Sequence, residues 1–148
     1  MDATDRYKLD ATLDFMRLLW AIEHGLQKRS KRMKSDSGIT GPQRLVLRIV
    51  GRFPGISAGD LARLVQLHPS TITGILQRLV KARMLRRDRD PQDSRRVRLW
   101  ITLRAARHVR PAPGSVEETV RRVLARSAVV DVERARTVLS DLARQLSE

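Results

Sequence analysis

Between Arg78 and Arg98 the chain sets nine cations, Arg78, Lys81, Arg83, Arg86, Arg87, Arg89, Arg95, Arg96 and Arg98, against three carboxylates, Asp88, Asp90 and Asp93. Guanidinium forks at that density match the oxygens of a phosphate backbone, and neutralising phosphates dominates the affinity of proteins for a duplex. A solvated charge run is the bland alternative. Against it stands the stretch just upstream, where Ser70, Thr71, Thr73, Gln77 and Arg78 supply the short hydroxyl, amide and guanidinium groups that bond phosphates and base edges. Catalytic chemistry has no comparable claim. The sequence holds no glycine-rich phosphate loop, nucleophile elbow, His-Glu-x-x-His pair or cysteine, so it reads as no enzyme and implies no cofactor. His24, His68 and His108 lie too far apart in sequence for a local metal pattern.

Hydrophobic periodicity supplies the elements that must carry these groups. Residues 7–33 read as one long helix, with Leu9, Leu13, Met16 and Trp20 along a stripe, followed by a polar loop over residues 35–41. Pro42 opens a second helix that stops within residues 51–55. Ser57 with Asp60 resembles a capping box for a third, and after only Gln66, Leu67 and His68 a fourth begins at Pro69. Two short amphipathic helices joined by a three-residue turn are the geometry of a helix-turn-helix. Its expected core is Leu45, Ile49, Leu61, Leu64, Ile72, Ile75 and Leu79.

After Met84 the period falls to two. Val97, Leu99 and Ile101 alternate with Arg96, Arg98 and Trp100, and residues 85–89 precede them across an Asp90-Pro91-Gln92-Asp93 turn. This predicts a β-hairpin wing whose tip, with Arg95 and Arg96, suits a narrow minor groove of strongly negative potential. Helix resumes at Thr102 and breaks at Pro111, Pro113 and Gly114. It restarts behind Ser115 and Glu118, and ends in a helix carrying Val132, Ala135, Val138, Leu139, Leu142 and Leu146. The expected fold is mostly α with a small hairpin (α+β). Its parts are an N-terminal helix (1–38), a winged helix-turn-helix (39–102) and C-terminal helices (103–148).

Two apolar stripes at opposite ends of the sequence imply a second copy. Leu9, Leu13 and Met16 at one end, and Val132, Val138, Leu139, Leu142 and Leu146 at the other, leave apolar surface that a two-fold partner would cover. A homodimer of this kind sets its reading helices about one DNA turn, ~34 Å, apart, and so favours an inverted-repeat operator.

Composition agrees. Thirty Lys and Arg against sixteen Asp and Glu leave a formal charge of +14 on 148 residues, a self-repulsion that a polyanionic partner relieves. Apolar runs fall far short of the ~20 residues that span a bilayer, the first ten residues lack a signal-peptide pattern, and there is no cysteine. The expectation is a cytoplasmic protein without membrane contact. Two other readings stay open, an architectural DNA protein without sequence preference and an RNA-binding protein. RNA modules lean on aromatic stacking, and none of the five aromatic residues lies in the helix-turn-helix.

Over essentially its whole length the chain resembles the MarR family of bacterial transcriptional regulators. The resemblance rests on GPQRLVLRIV in the second helix, SAGDLARLVQLHPSTITGILQRLVKARMLRR through the helix-turn-helix and DPQDSRR in the wing. It implies that residues 69–82 form the DNA-reading helix, that Asp93 orients Arg95 by a salt bridge and that Arg95 probes the minor groove. It further implies repression of palindromic operators by a dimer with interlocked end helices, released by a small aromatic or phenolic effector. One departure is Ala105, where the family commonly has glycine after its Leu-Thr segment; here Ile101-Thr102-Leu103-Arg104-Ala105 keeps only the threonine.

Overall fold

The computed structural model describes residues 7–148, and the chain divides into two compact units, residues 1–41 and 42–148. The first unit is built on α1 (Ala11–Ser37). Asp10 caps it, its side chain accepting the Leu13 N–H at 3.0 Å, so Leu9 lies before the helix and outside the expected stripe. At the other end the polar residues 35–37 stay helical. The stop comes at Gly38, which takes the left-handed conformation (φ +78°) and returns its N–H to the Lys34 carbonyl at 2.9 Å. A left-handed glycine ends this helix, where polar composition suggests a loop.

The second unit contains α2 (Gly41–Arg52, its first residue belonging to the other unit), α3 (Ala58–Val65), α4 (Pro69–Lys81) and the hairpin β1 (Leu85–Arg89) and β2 (Val97–Ile101). A 3-10 helix (Leu103–Val109), α5 (Val116–Ala125) and α6 (Val129–Leu146) follow. The strands pair antiparallel with Leu85 opposite Ile101 and Arg89 opposite Val97. The far edge of β2 is also used. Gly55 donates to the Leu99 carbonyl at 2.8 Å and Leu99 donates to Ile56 at 3.0 Å, so the corner between α2 and α3 adds a short third rung to the wing. Gly55 sits at φ +81°, and a Cβ there would meet the Trp100 ring at 3.0 Å, two reasons for glycine at that corner.

The core of this unit gathers Val46, Leu47 and Val50 from α2, Leu61 from α3, Ile72, Ile75, Leu76 and Leu79 from α4, and Met84, Leu85, Leu99 and Ala105 from the hairpin and the segments flanking it. Leu61, Ile72, Ile75 and Leu79 are buried as the periodicity requires. Leu45 and Leu64, also expected inside, are more than half exposed. On α2 the face carrying Val46, Leu47 and Val50 turns inward instead, and one helix cannot bury every side.

The capping serines are confirmed. Ser57 accepts the Asp60 N–H at 3.0 Å and Ser115 accepts the Glu118 N–H at 3.2 Å. Thr102 caps a 3-10 helix in place of the expected α-helix, and that helix ends at the residue before Arg110, which itself precedes Pro111 in an extended conformation. Its last carbonyls are met from α2. Arg44, almost wholly buried, donates to the carbonyls of His108 and Arg110 and pairs through Nε with Glu117 at 3.0 Å. Arg48, one turn on, donates to the Val109 carbonyl and pairs with the other Glu117 oxygen at 2.9 Å.

His108 is buried beside this joint, and its Nε2 accepts from the Arg107 Nε at 3.2 Å. Desolvation first, and then the neighbouring charges of Arg107, Arg44 and Arg104, hold its pKa below the ordinary histidine value of 6.5. Above its unfolded pKa this histidine is neutral in both states, but below it the unfolded chain takes up a proton that the fold excludes. Folded stability is therefore lost as pH falls from about 6.5 towards the depressed folded pKa. Thermal unfolding should therefore show a falling midpoint between about pH 7.5 and 5. His108→Gln, which keeps an acceptor but cannot titrate, should flatten that slope.

Candidate nucleic-acid interface

His68 begins α4. Its ring Nδ1 accepts the Ser70 N–H at 3.2 Å and lies 2.7 Å from the Ser70 hydroxyl, so the imidazole serves as the N-cap of α4. From sequence this residue reads as an ordinary surface histidine, because Ser, Thr, Asp and Asn are the usual caps. The preceding turn is closed by Gln66 in the left-handed region (φ 52°). Ser70, Thr71, Thr73, Gln77 and Arg78 are all exposed along α4. The Thr73 hydroxyl donates back to the Pro69 carbonyl at 2.9 Å, which leaves its methyl and an oxygen lone pair outward.

Gly74 lies on the same helix, and a Cβ built there would meet nothing within 4 Å. Among the described residues, therefore, no close packing requires a glycine at this position.

Arg86, Arg87, Arg89, Asp93, Arg95 and Arg96 are likewise exposed on the wing. The carboxylates, however, are not used as the resemblance implies. Asp93 Oδ1 accepts the backbone N–H of Arg95 at 3.0 Å, and among the described residues no carboxylate lies within ion-pair distance of the Arg95 guanidinium. The short aspartate side chain closes an Asx turn and so shapes the backbone that carries Arg95. Arg86 pairs with Asp88 at 3.0 Å and lies 5.8 Å from the centre of the Trp100 ring. Arg96 reaches Asp60 of α3 at 3.5 Å. The Ser57 hydroxyl, then Arg63 and Arg96, hold the Asp60 carboxyl below the ordinary carboxylate range.

Asp90 is the one buried acid of the wing. Its Oδ1 accepts the Gln92 N–H at 2.9 Å and its Oδ2 takes Arg98 at 2.8 Å. The Gln92 hydrogen bond, ahead of Arg98, keeps its carboxyl low-titrating against the opposing effect of burial. Sequence patterning marks neither Asp90 nor Arg98 as a site residue. An Asp-Pro-Gln turn signals the Gln92 contact, but nothing local signals a partner eight residues on.

Among the described residues Arg78, Lys81, Arg83, Arg87, Arg89 and Arg95 have no carboxylate partner. The structure thus places several wing cations without a carboxylate partner beside α4, whose exposed face is polar. No cluster of His, Asp and Glu among the described residues could hold a metal ion, and none of their helices is long and apolar enough to cross a membrane.

A helix-turn-helix followed by a hairpin wing is the winged-helix arrangement. Residues 37–96 match the MarR family. The chain is 30% identical over 98 residues to the HTH-type transcriptional regulator TtmR of Methylorubrum extorquens, a match spanning 66% of this chain and 49% of that one. It is 28% identical over 117 residues to the HTH-type transcriptional repressor Rv2887 of Mycobacterium tuberculosis, spanning 79% and 83% of the two.

Two solved structures share the fold. A Staphylococcus aureus MepR–DNA complex aligns at TM-score 0.71 and 21% identity, covering 89% of this chain and 97% of that one. The PcaV regulator of Streptomyces coelicolor with its natural ligand aligns at 0.64 and 25%, covering 95% and 96%. Over residues 37–96 the chain is thus similar to the MarR family, and the relatives matched in sequence are named as transcription regulators.

The open space around Gly74 yields a stability test. Its helical backbone suits alanine, so Gly74→Ala should stabilise the free protein by about 0.5–1 kcal/mol, read by denaturant unfolding. A destabilised variant would mean that the space beside α4 is filled.

Proposed function

We propose that this protein is a repressor that binds an inverted-repeat operator as a homodimer, α4 reading the major groove and the wing reaching the minor groove. The observation carrying this is the juxtaposition of α4's exposed Ser70, Thr71, Thr73, Gln77 and Arg78 with Arg87, Arg89 and Arg95 on the wing, all free of carboxylate partners. The repressor Rv2887 and the MepR–DNA complex lend support as relatives in sequence and in fold.

In this reading Thr71, Thr73, Gln77 and Arg78 meet base edges, while Ser70 and the wing cations neutralise phosphates. Arg95, presented by the Asp93 turn, enters the narrow groove. A small aromatic or phenolic acid is the proposed effector, in line with the ligand-bound PcaV relative. Work in the cytoplasm follows from such a role.

On α1 Leu13 and Met16 are exposed, as is Leu9 ahead of it, and on α6 Val138, Leu139 and Leu146 are exposed with Val132 and Leu142 half-buried. Contiguous apolar surface on both terminal elements is best covered by a second copy.

Selection of bound DNA from random duplexes, followed by affinity measurement, tests the reading. A regulator should prefer its selected site over random duplex by at least ~10³, whereas an architectural protein would not, and an RNA-binding protein would favour single strands. Arg95→Ala should weaken operator binding by about 1–3 kcal/mol. Thr73→Ala and Gln77→Ala should change the selected sequence, and Arg87→Ala should lower affinity for all duplexes alike. Unchanged profiles for the α4 variants would mean that another element reads the bases.

Sedimentation should show a dimer at micromolar concentration. Truncation before Asp131 should abolish both the dimer and specific binding. A truncated chain that stayed folded, monomeric and operator-specific would rule out the proposed assembly.

A further inference from the structure

We infer that Asp90 and Arg98 are positioning residues for DNA binding, a clamp that contacts no DNA itself but fixes the wing tip relative to the helix-turn-helix. This rests on the reading of Arg95 as a groove contact. Arg98 lies in β2, paired in register with Asp88. Its side chain runs diagonally along the same face to Asp90, where Nε and NH2 both meet Oδ2, at 2.9 and 2.8 Å. The remaining arm, NH1, donates to the Gly55 carbonyl at 3.0 Å. One guanidinium therefore ties the start of the wing turn to the corner that leads into α3.

Asp90 completes the tie from its side. Its Oδ1 holds the Gln92 N–H, and its own N–H donates to the Arg96 carbonyl at 2.9 Å. The loop that displays Arg95 and Arg96 is thus anchored at both ends on residue 90. No other acid in the wing is placed to do this. The side chains of Asp88 and Asp60 are 46% and 47% exposed, while that of Asp90 is 6% exposed beneath a partly exposed Arg98. Exposed pairs contribute little and exchange readily, whereas a buried carboxylate accepting three N–H groups fixes geometry. Lysine, with one point charge on a flexible stem, cannot make both contacts of Arg98 at once.

Charge opposes position in the test. Removing the Asp90 charge favours a polyanion electrostatically, so weaker binding by Asp90→Asn points to geometry. Arg98→Lys leaves the net charge unchanged and breaks only the fork. Operator affinity by fluorescence anisotropy, with folding of each variant verified by circular dichroism, should fall about tenfold for both variants.

Combining either substitution with Arg95→Ala should add less than a further threefold, because the clamp acts through the groove contact. Amide exchange of free Arg98→Lys should quicken at Gln92 and Arg96 while the α2–α4 core stays protected. Affinities within twofold of the parent for both single variants would overturn the clamp. So would full additivity with Arg95→Ala, which is the mark of general destabilisation. If Arg95→Ala alone costs no affinity, the DNA reading of the wing and the functional claim fail together. Faster exchange in Arg98→Lys would then show the clamp as a structural tie alone.

Discussion

A guanidinium keeps its charge at any working pH and presents five donors, so wherever the fold draws one inward it must surround it with acceptors. This chain uses that obligation at its joints. Arg44 and Arg48 stand one turn apart on α2 and satisfy the carbonyls of residues 108–110, which proline prevents from continuing a helix, while sharing Glu117. Arg98 does the same between the wing turn and the α2–α3 corner. Apolar packing fills the space between α2, α3 and α4, but it is non-directional. The angles at which the wing and the post-wing segment leave that core are set by these forks.

The same constraint decides which cations remain available. Asp90, Asp60 and Glu117 are engaged by Arg98, Arg96, Arg44 and Arg48, all of them bridging separate elements. Glu118, Glu133 and Asp141 pair within their own helices on α5 and α6. Little acid is left for residues 78–95, so Arg78, Lys81, Arg83, Arg87, Arg89 and Arg95 keep their charge without a carboxylate partner among the described residues. Asp93 looks like an exception, yet its carboxylate faces a backbone N–H and leaves the Arg95 charge uncancelled.

Much of this is legible in the sequence where the signal is local. Caps at Ser57, Thr102 and Ser115 declare themselves by residue type and spacing. The change of period at Met84 declares the hairpin, and Ile72, Ile75 and Leu79 declare the inner face of α4. What stays hidden depends on long-range partners. Nothing around Leu45 or Leu64 says that α2 turns Val46, Leu47 and Val50 inward instead, or that α3 buries Leu61 without Leu64. Arg44 is buried only because carbonyls more than sixty residues on converge upon it. The end of α1 escapes composition because polar residues 35–37 resemble a loop, whereas the terminator is the conformation of Gly38. His68 is an uncommon cap, and its role appears only once the ring is seen to accept from Ser70.

The placement of Asp93 changes the physical account of the wing. If a carboxylate held the Arg95 guanidinium, its charge would be partly cancelled before any duplex arrived, and binding would first have to break or share that pair. Held through its backbone N–H instead, Arg95 keeps its full charge and its rotamer freedom, while its Cα is fixed by the turn. In the proposed groove contact, fixing the backbone lowers the entropy lost on binding, and a side chain without an ion-pair partner is free to follow variations in groove width. The division of labour between two nearby aspartates then makes sense. Asp90, buried and clamped by Arg98, sets where the loop sits, and Asp93, exposed at its tip, sets how the chain turns to present a bare guanidinium.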